Sequence, residues 1–170
     1  MKKYELTEET KVIGGKTLFR IRALRSFGDI KAGDLGGFIE NERNLSHEGN
    51  AWVSGDARVD GNAQVGGNAR VEDNARVDGD AWVDGNARVS GDGLINSNND
   101  YLCEKGLGSH NRSASFFKCK DGHIHVLCGC FDGNLDEFEN KVKKEHGNSK
   151  YAKEYLGFIE VVKTHFEVRQ

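Results

Sequence analysis

The chain has 170 residues, enough for one compact domain or two small ones. It holds 22 glycines and no proline, a pairing that suits regular tight turns and argues against a flexible linker. A net charge of −3 with a pI near 6.1 argues against a general nucleic-acid binder.

The opening MKKYELTEETKV lacks an apolar h-region, and no run approaches the ~18 apolar residues of a spanning helix, so neither a secretory signal nor a membrane span is expected. Residues 1–44 read as an N-terminal β cap. In KVIGGKTLFRIRALRSF, apolar residues flank Gly14-Gly15, which signals a hairpin. Gly33, Gly36 and Gly37 punctuate a loop before Phe38 and Ile39.

Residues 45–98 hold a repeat. Written in sixes from Ala51 it runs AWVSGD, ARVDGN, AQVGGN, ARVEDN, ARVDGD, AWVDGN, ARVSGD and a degraded GLINSN. Val stands at 53, 59, 65, 71, 77, 83 and 89, Ile95 continues the series, and Ala precedes each Val by two. In extended chain, positions two apart share a face, so Ala and Val point inward together. The pair that follows, mostly Gly then Asp or Asn, tolerates left-handed backbone angles and turns the chain. Two inward residues and a corner make one side of a prism, and three sides make a coil, which describes a hexapeptide parallel β-helix. Solenoid periods of five or nine do not align.

One coil is three hexads, so residues one coil apart stack at about 4.8 Å. Outward positions then form ladders: Arg58 over Arg76 beside Asp60 over Asp78, and Trp52, Arg70 and Arg88 beside Ser54, Glu72 and Ser90. The acid columns offset the repulsion of stacked arginines. Trp52 and Trp82 interrupt an Arg-dominated position and read as contact anchors, the other reading being packing under the N-terminal region or against an oligomer neighbour.

Residues 99–170 read as an α+β domain, a β-hairpin plus two helices. Asp121-Gly122 is taken as a two-residue turn joining RSASFFKCK to HIHVLCGC. Asn134 and Glu137 form a capping-box pattern ahead of a Leu135, Phe138, Val142 stripe that ends at Gly147. Ser149 opens a second helix with the face Ala152, Tyr155, Leu156, Ile159, Val162 and Phe166.

All four cysteines, Cys103, Cys119, Cys128 and Cys130, lie in this last third and read as reduced thiols of a cytosolic protein. With His123 and His125 they suggest zinc. A two-residue turn, however, sets Cys119 opposite Ile124 and sends both histidines to the other face, so no metal is assigned and the thiols read as small apolar fillers. A set using Cys128 and Cys130 with Cys103 or His110 stays open. The loop from Gly106 to Ser113 is the densest polar cluster. Its Ser109, His110, Asn111, Arg112 and Ser113 suit an anionic ligand, through guanidinium and backbone amides. Lys141, Lys143 and Lys144 read as a solvated helix face.

The unit V-x-G-Asp/Asn-A-x, after the lead FGDIKAGDLGGFIENERNLS, resembles the left-handed β-helix of bacterial hexapeptide-repeat proteins. Over roughly residues 4–98 it is similar to YdcK-like proteins, which carry a transferase label and also occur in phage and prophage genomes. The resemblance implies a left-handed coil and acyl transfer from an acyl-CoA or acyl-carrier donor, at grooves between subunits of a trimer. Such chemistry needs a general base, most often His. Residues 51–98 contain none, and His47 falls in the register of the inward valines.

The expected architecture is therefore mainly β: a short left-handed parallel β-helix with an N-terminal β cap and a C-terminal α+β domain. The expected function is a non-catalytic interaction protein of phage or prophage type in the cytoplasm of a bacterial host. It would use no cofactor, form a homodimer or trimer, and bind a host protein or a small anionic ligand, inhibiting or sequestering a component of host defence. A hexapeptide-repeat acyltransferase and a small-ligand or zinc-binding module are the alternatives.

Overall fold

The computed structural model describes residues 1–168. Strands β1 (Tyr4–Ile13) and β2 (Lys16–Ala23) pair antiparallel across the Gly14-Gly15 turn, with Ile13 opposite Lys16. β3 (Leu35–Ile39) joins β2 antiparallel on one side. On its other side it pairs in parallel with β5 (Arg58–Val59), Phe38 facing Arg58. The N-terminal hairpin thus prolongs one sheet of the solenoid past its first coil, and β3 does not end in an open edge.

Polar groups lock this cap onto the coil. Lys3 is fully buried and its Nζ donates to the Ala51 carbonyl at 2.8 Å. Tyr4 donates to the Leu45 carbonyl at 2.7 Å and stacks on His47 at 4.3 Å between ring centroids. Trp52 lies edge-on to Tyr4 and Phe27 with 1% of its surface exposed. It is a core residue packed under the N-terminal cap, which is the second of the two readings of Trp52 and excludes it as a contact anchor.

The hexads form eight two-residue strands, β4 (Trp52–Val53) and β5, then β6 (Gln64–Val65), β7 (Arg70–Val71), β8 (Arg76–Val77), β9 (Trp82–Val83), β10 (Arg88–Val89) and β11 (Leu94–Ile95). They stack in parallel as β4-β7-β10, β5-β8-β11 and β6-β9, so that Trp52 faces Arg70, Arg70 faces Arg88, and Gln64 faces Trp82. The result is a parallel β-solenoid whose interior is the Ala and Val of each hexad, all of them buried. At the corners Asn50 donates to Asn68 at 3.1 Å and Asn68 to Asn86 at 3.2 Å, a ladder that satisfies amides the turns would otherwise leave to water. On the faces Arg88 pairs with Glu72 at 2.8 Å and Arg76 with Asp78. Asp60 is buried, and its compensating charge is Lys16 of β2, 2.7 Å away.

Beyond the solenoid, β12 (Tyr101–Leu107), β13 (Arg112–Lys118), β14 (Ile124–Cys128) and β15 (Phe131–Asn134) form an antiparallel meander in chain order. Sequence patterning suggests a single hairpin here, and the structure has four strands. The two outer strands escaped it because YLCEKGL does not alternate cleanly and FDGN is only four residues long. Alternation sends Phe117, Cys119 and Leu127 into the same core as the solenoid, and Ala114, Phe116, Ile124, Val126 and Cys128 into a second core. That second core is closed by α1 (Leu135–His146) and α2 (Lys150–His165). The Asn134–Glu137 capping box and the Ser149 N-cap are present, and Leu135, Phe138, Val142, Ala152, Tyr155, Ile159 and Val162 are buried as the helical periodicity predicts. Leu156 is only partly buried.

The β13–β14 turn differs from expectation by one residue. Cys119 N–H donates to the His123 carbonyl at 3.0 Å and Gly122 N–H to the Cys119 carbonyl at 2.9 Å. The loop is therefore the three residues Lys120-Asp121-Gly122, with Gly122 at φ 88° closing it as such loops require. Lys118, not Cys119, opposes Ile124. A one-residue slip reverses the face of every side chain, so Cys119, His123 and His125 share one face instead of being divided between two. Among the described residues, no helix is long and apolar enough to cross a membrane.

Candidate functional site

A partly enclosed cleft lies on the helix side of the C-terminal sheet, with a volume of about 270 Å³. Three segments build it. The β12–β13 turn contributes Ser109 and His110, and the start of β13 contributes Arg112. The β14–β15 hairpin supplies Cys128, Cys130 and Phe131, and the helices supply Phe138, Lys141, Glu145, His146 and Tyr155.

The arrangement has an apolar floor and a charged rim. Tyr155 reaches from α2 to donate to the Leu107 carbonyl at 3.4 Å, and His146 stacks on its ring at 5.6 Å between centroids. Burial, reinforced by the neighbouring Cys128, pushes the Tyr155 phenol up to about 12, so it stays a neutral donor. Arg112 crosses the β14–β15 turn at Gly129, where a Cβ would overlap its guanidinium. Lys141 stands over the Phe131 ring at 5.8 Å and pairs with Glu145 at 3.4 Å, which offsets part of its charge. Ser109 Oγ lies 2.9 Å from His110 Nδ1. Two permanent cations and two imidazoles around an apolar floor suit a ligand with an anionic group and an apolar body.

Of the loop residues singled out from sequence, Ser109, His110 and Arg112 line this cleft. Asn111 sits at the tip of the turn, at φ 47°, with its side chain exposed. Ser113 pairs with Lys105 and, being one residue after Arg112, faces the other side of the sheet. Trp82 is 57% exposed on the solenoid, where it borders a shallow groove with Gln64, Asp84 and His47 and takes no part in the cleft that Arg112 lines. Sequence reasoning did not place Lys141, Glu145, His146 and Tyr155 at this site. The i, i+4 and i+5 spacing of the first three on one helix was visible, but not which loop they would face.

The thiols are mostly unreactive. Burial raises the Cys103, Cys128 and Cys119 thiols, Cys119 up to about 11 with help from Asp121 and Asp92, so they remain protonated near neutrality. Cys103 and Cys128 lie in different cores, on opposite faces of the sheet, which rules out a metal set containing both. Cys130 is the exposed one, at the rim of the cleft.

The fold and cleft define a class: a mainly β protein in which a parallel β-solenoid carries a terminal sheet-and-helix unit with a small polar cleft. No known protein family matches the chain, and no curated protein matches it significantly.

Proposed function

We propose that this is a non-catalytic binding protein whose solenoid is a rigid support and whose C-terminal unit holds a small anionic ligand or an acidic group of a partner. The observation that carries the reading is the convergence of Arg112, Lys141, His110 and His146 on one cleft, from the β12–β13 hairpin and from helix α1. The β-helix, by contrast, engages most of its charged side chains within the fold: Arg76 pairs with Asp78, Arg88 with Glu72 and Arg70 with Asp29 of the cap, and its corner amides pair with one another. The acyltransferase reading would need a general base at the solenoid. The nearest imidazole, His47, accepts the Lys3 backbone N–H at 3.2 Å through Nδ1 and stacks on Tyr4, so the nitrogen that would take a proton and one ring face are engaged in holding the cap. The finer role, sequestering a component of host defence for a phage or prophage, rests on the resemblance of the repeat to proteins of such genomes.

The test is titration of the full chain with inorganic pyrophosphate and, separately, with a nucleoside diphosphate, followed by amide chemical shifts. Saturable shifts at residues 108–112 and 141–146, lost in Arg112→Gln, support the reading. No saturable shift with either probe, or shifts confined to the solenoid, overturn it. Turnover of acyl-CoA that collapses on His47→Ala would instead establish the transferase.

A further inference from the structure

The three-residue turn after β13 gathers a second group of side chains on the opposite face of the sheet from the cleft. One ligand atom each from Cys119, His123 and His125 lie within 4.8 Å of one another, and among the described residues this is the one Cys/His/carboxylate cluster to meet that spacing. Each imidazole is held from behind by a carboxylate. His123 Nδ1 is 2.5 Å from Asp121 Oδ1, and His125 Nε2 is 2.7 Å from Asp132 Oδ1. The two remaining nitrogens, His123 Nε2 and His125 Nδ1, face each other at 3.5 Å.

Either a bound metal ion or a proton shared between the two rings satisfies that arrangement. When each Asp accepts the N–H of its neutral imidazole, both protons sit on the far nitrogens, and two bare lone pairs point at one another. Something positive has to stand between or beside them. Two nitrogens bound tetrahedrally to zinc at about 2.0–2.1 Å are about 3.3 Å apart, close to the spacing present. A carboxylate on the outer nitrogen of each histidine is the arrangement that orients imidazole ligands and raises their basicity at metal centres. The sulfur supplies the soft donor that favours zinc over magnesium or calcium.

We propose that Cys119 Sγ, His123 Nε2 and His125 Nδ1 bind one Zn²⁺, the Cys119 thiol giving up its proton to solvent as the metal binds, with Asp121 and Asp132 as positioning residues and water in the fourth position. The site lies at the join between the sheet and the solenoid: Cys119 bridges to Gly93, and Lys120 donates to the Asp92 carbonyl at 3.1 Å and pairs with its carboxylate at 2.9 Å. A bound ion therefore fastens the β13–β14 turn at the end of the last coil, so occupancy stabilises the folded chain.

The experiment is calorimetric titration of chelator-stripped full-length protein with Zn²⁺ alone, with Co²⁺ added to a second sample for its absorption. The expected result is one ion per chain and a thiolate-to-cobalt band in the near ultraviolet. Cys119→Ser abolishes the band, His125→Gln weakens Zn²⁺ binding by at least ~10-fold, and Asp132→Asn weakens it by roughly 10- to 100-fold. Cys130→Ser, at the cleft, leaves the affinity unchanged. Circular dichroism of metal-free samples confirms that each variant folds, and His123→Gln, at an exposed position, repeats the test if Cys119→Ser does not. Absence of stoichiometric uptake by the wild type, or equal affinity in the Cys119, His123 and His125 variants, overturns the site. So does a proton shared by the two imidazoles that excess Zn²⁺ fails to displace.

Discussion

Phe117 of the C-terminal sheet lies directly on Gly93 of the last hexad. A Cβ at Gly93 would stand 3.1 Å from the Phe117 ring and 2.5 Å from Val89 Cγ1. Every earlier hexad has Ala at this place, so the missing methyl in GLINSN is what lets an aromatic ring close the solenoid. Gly93→Ala is expected to destabilise the protein by about 1–3 kcal/mol through overpacking. Urea unfolding checks it; an unchanged midpoint would mean that the ring has room to move aside.

The two tryptophans of the repeat occupy equivalent hexad positions and differ in surroundings. Trp52→Ala empties a site walled by Tyr4 and Phe27 and is expected to cost about 3–5 kcal/mol. Trp82→Ala, at an exposed position, is expected to stay within about 0.5 kcal/mol. Parallel denaturation curves decide, and equal losses would contradict the burial of only one of them.

Lys3 makes stability depend on pH in an identifiable window. Burial, followed by the nearby charge of Arg25, lowers its ammonium from the ordinary value to about 8. The unfolded chain therefore holds a proton between pH 8 and 10.5 that the folded chain has released, so stability rises with pH across that range. Below pH 8 both states are protonated and the buried charge counts in full against folding. From pH 7 to 9 the gain is about 1 kcal/mol, by conversion of about one pKa unit. Lys3→Met should remove this slope, whatever it does to stability at one pH. Raised thiol and phenol values at Cys119 and Tyr4 act with the opposite sign above pH 9, so the comparison is the difference between the two proteins.

Thiol reactivity should divide the four cysteines unequally. Cys130 is exposed, whereas Cys103, Cys119 and Cys128 are partly or wholly buried with raised thiols. A disulfide reagent at neutral pH is expected to modify one thiol per native chain rapidly and all four after denaturation. Protection of that fast thiol by pyrophosphate would link it to the cleft; fast reaction at Cys119 would contradict its burial.

The sequence by itself determined the repeat, the two helices and the first hairpin. Ala and Val at fixed intervals leave one way to hide their side chains, the corner Gly and Asp/Asn residues leave one place to turn, and each helix carries its own cap. These are local constraints, and residues a few positions apart express them. Tertiary structure alone decided the rest. Equivalent hexad positions became core at Trp52 and surface at Trp82, because only the first is covered by the N-terminal strands. A turn one residue longer than its Asp-Gly suggested reversed the faces of a strand pair and put Cys119 with His123 and His125. Helix α1 brought Lys141 and His146 to Arg112, and no periodicity could show that. Spacing along a chain specifies which side of an element a residue takes, but what stands opposite that side depends on how the elements pack.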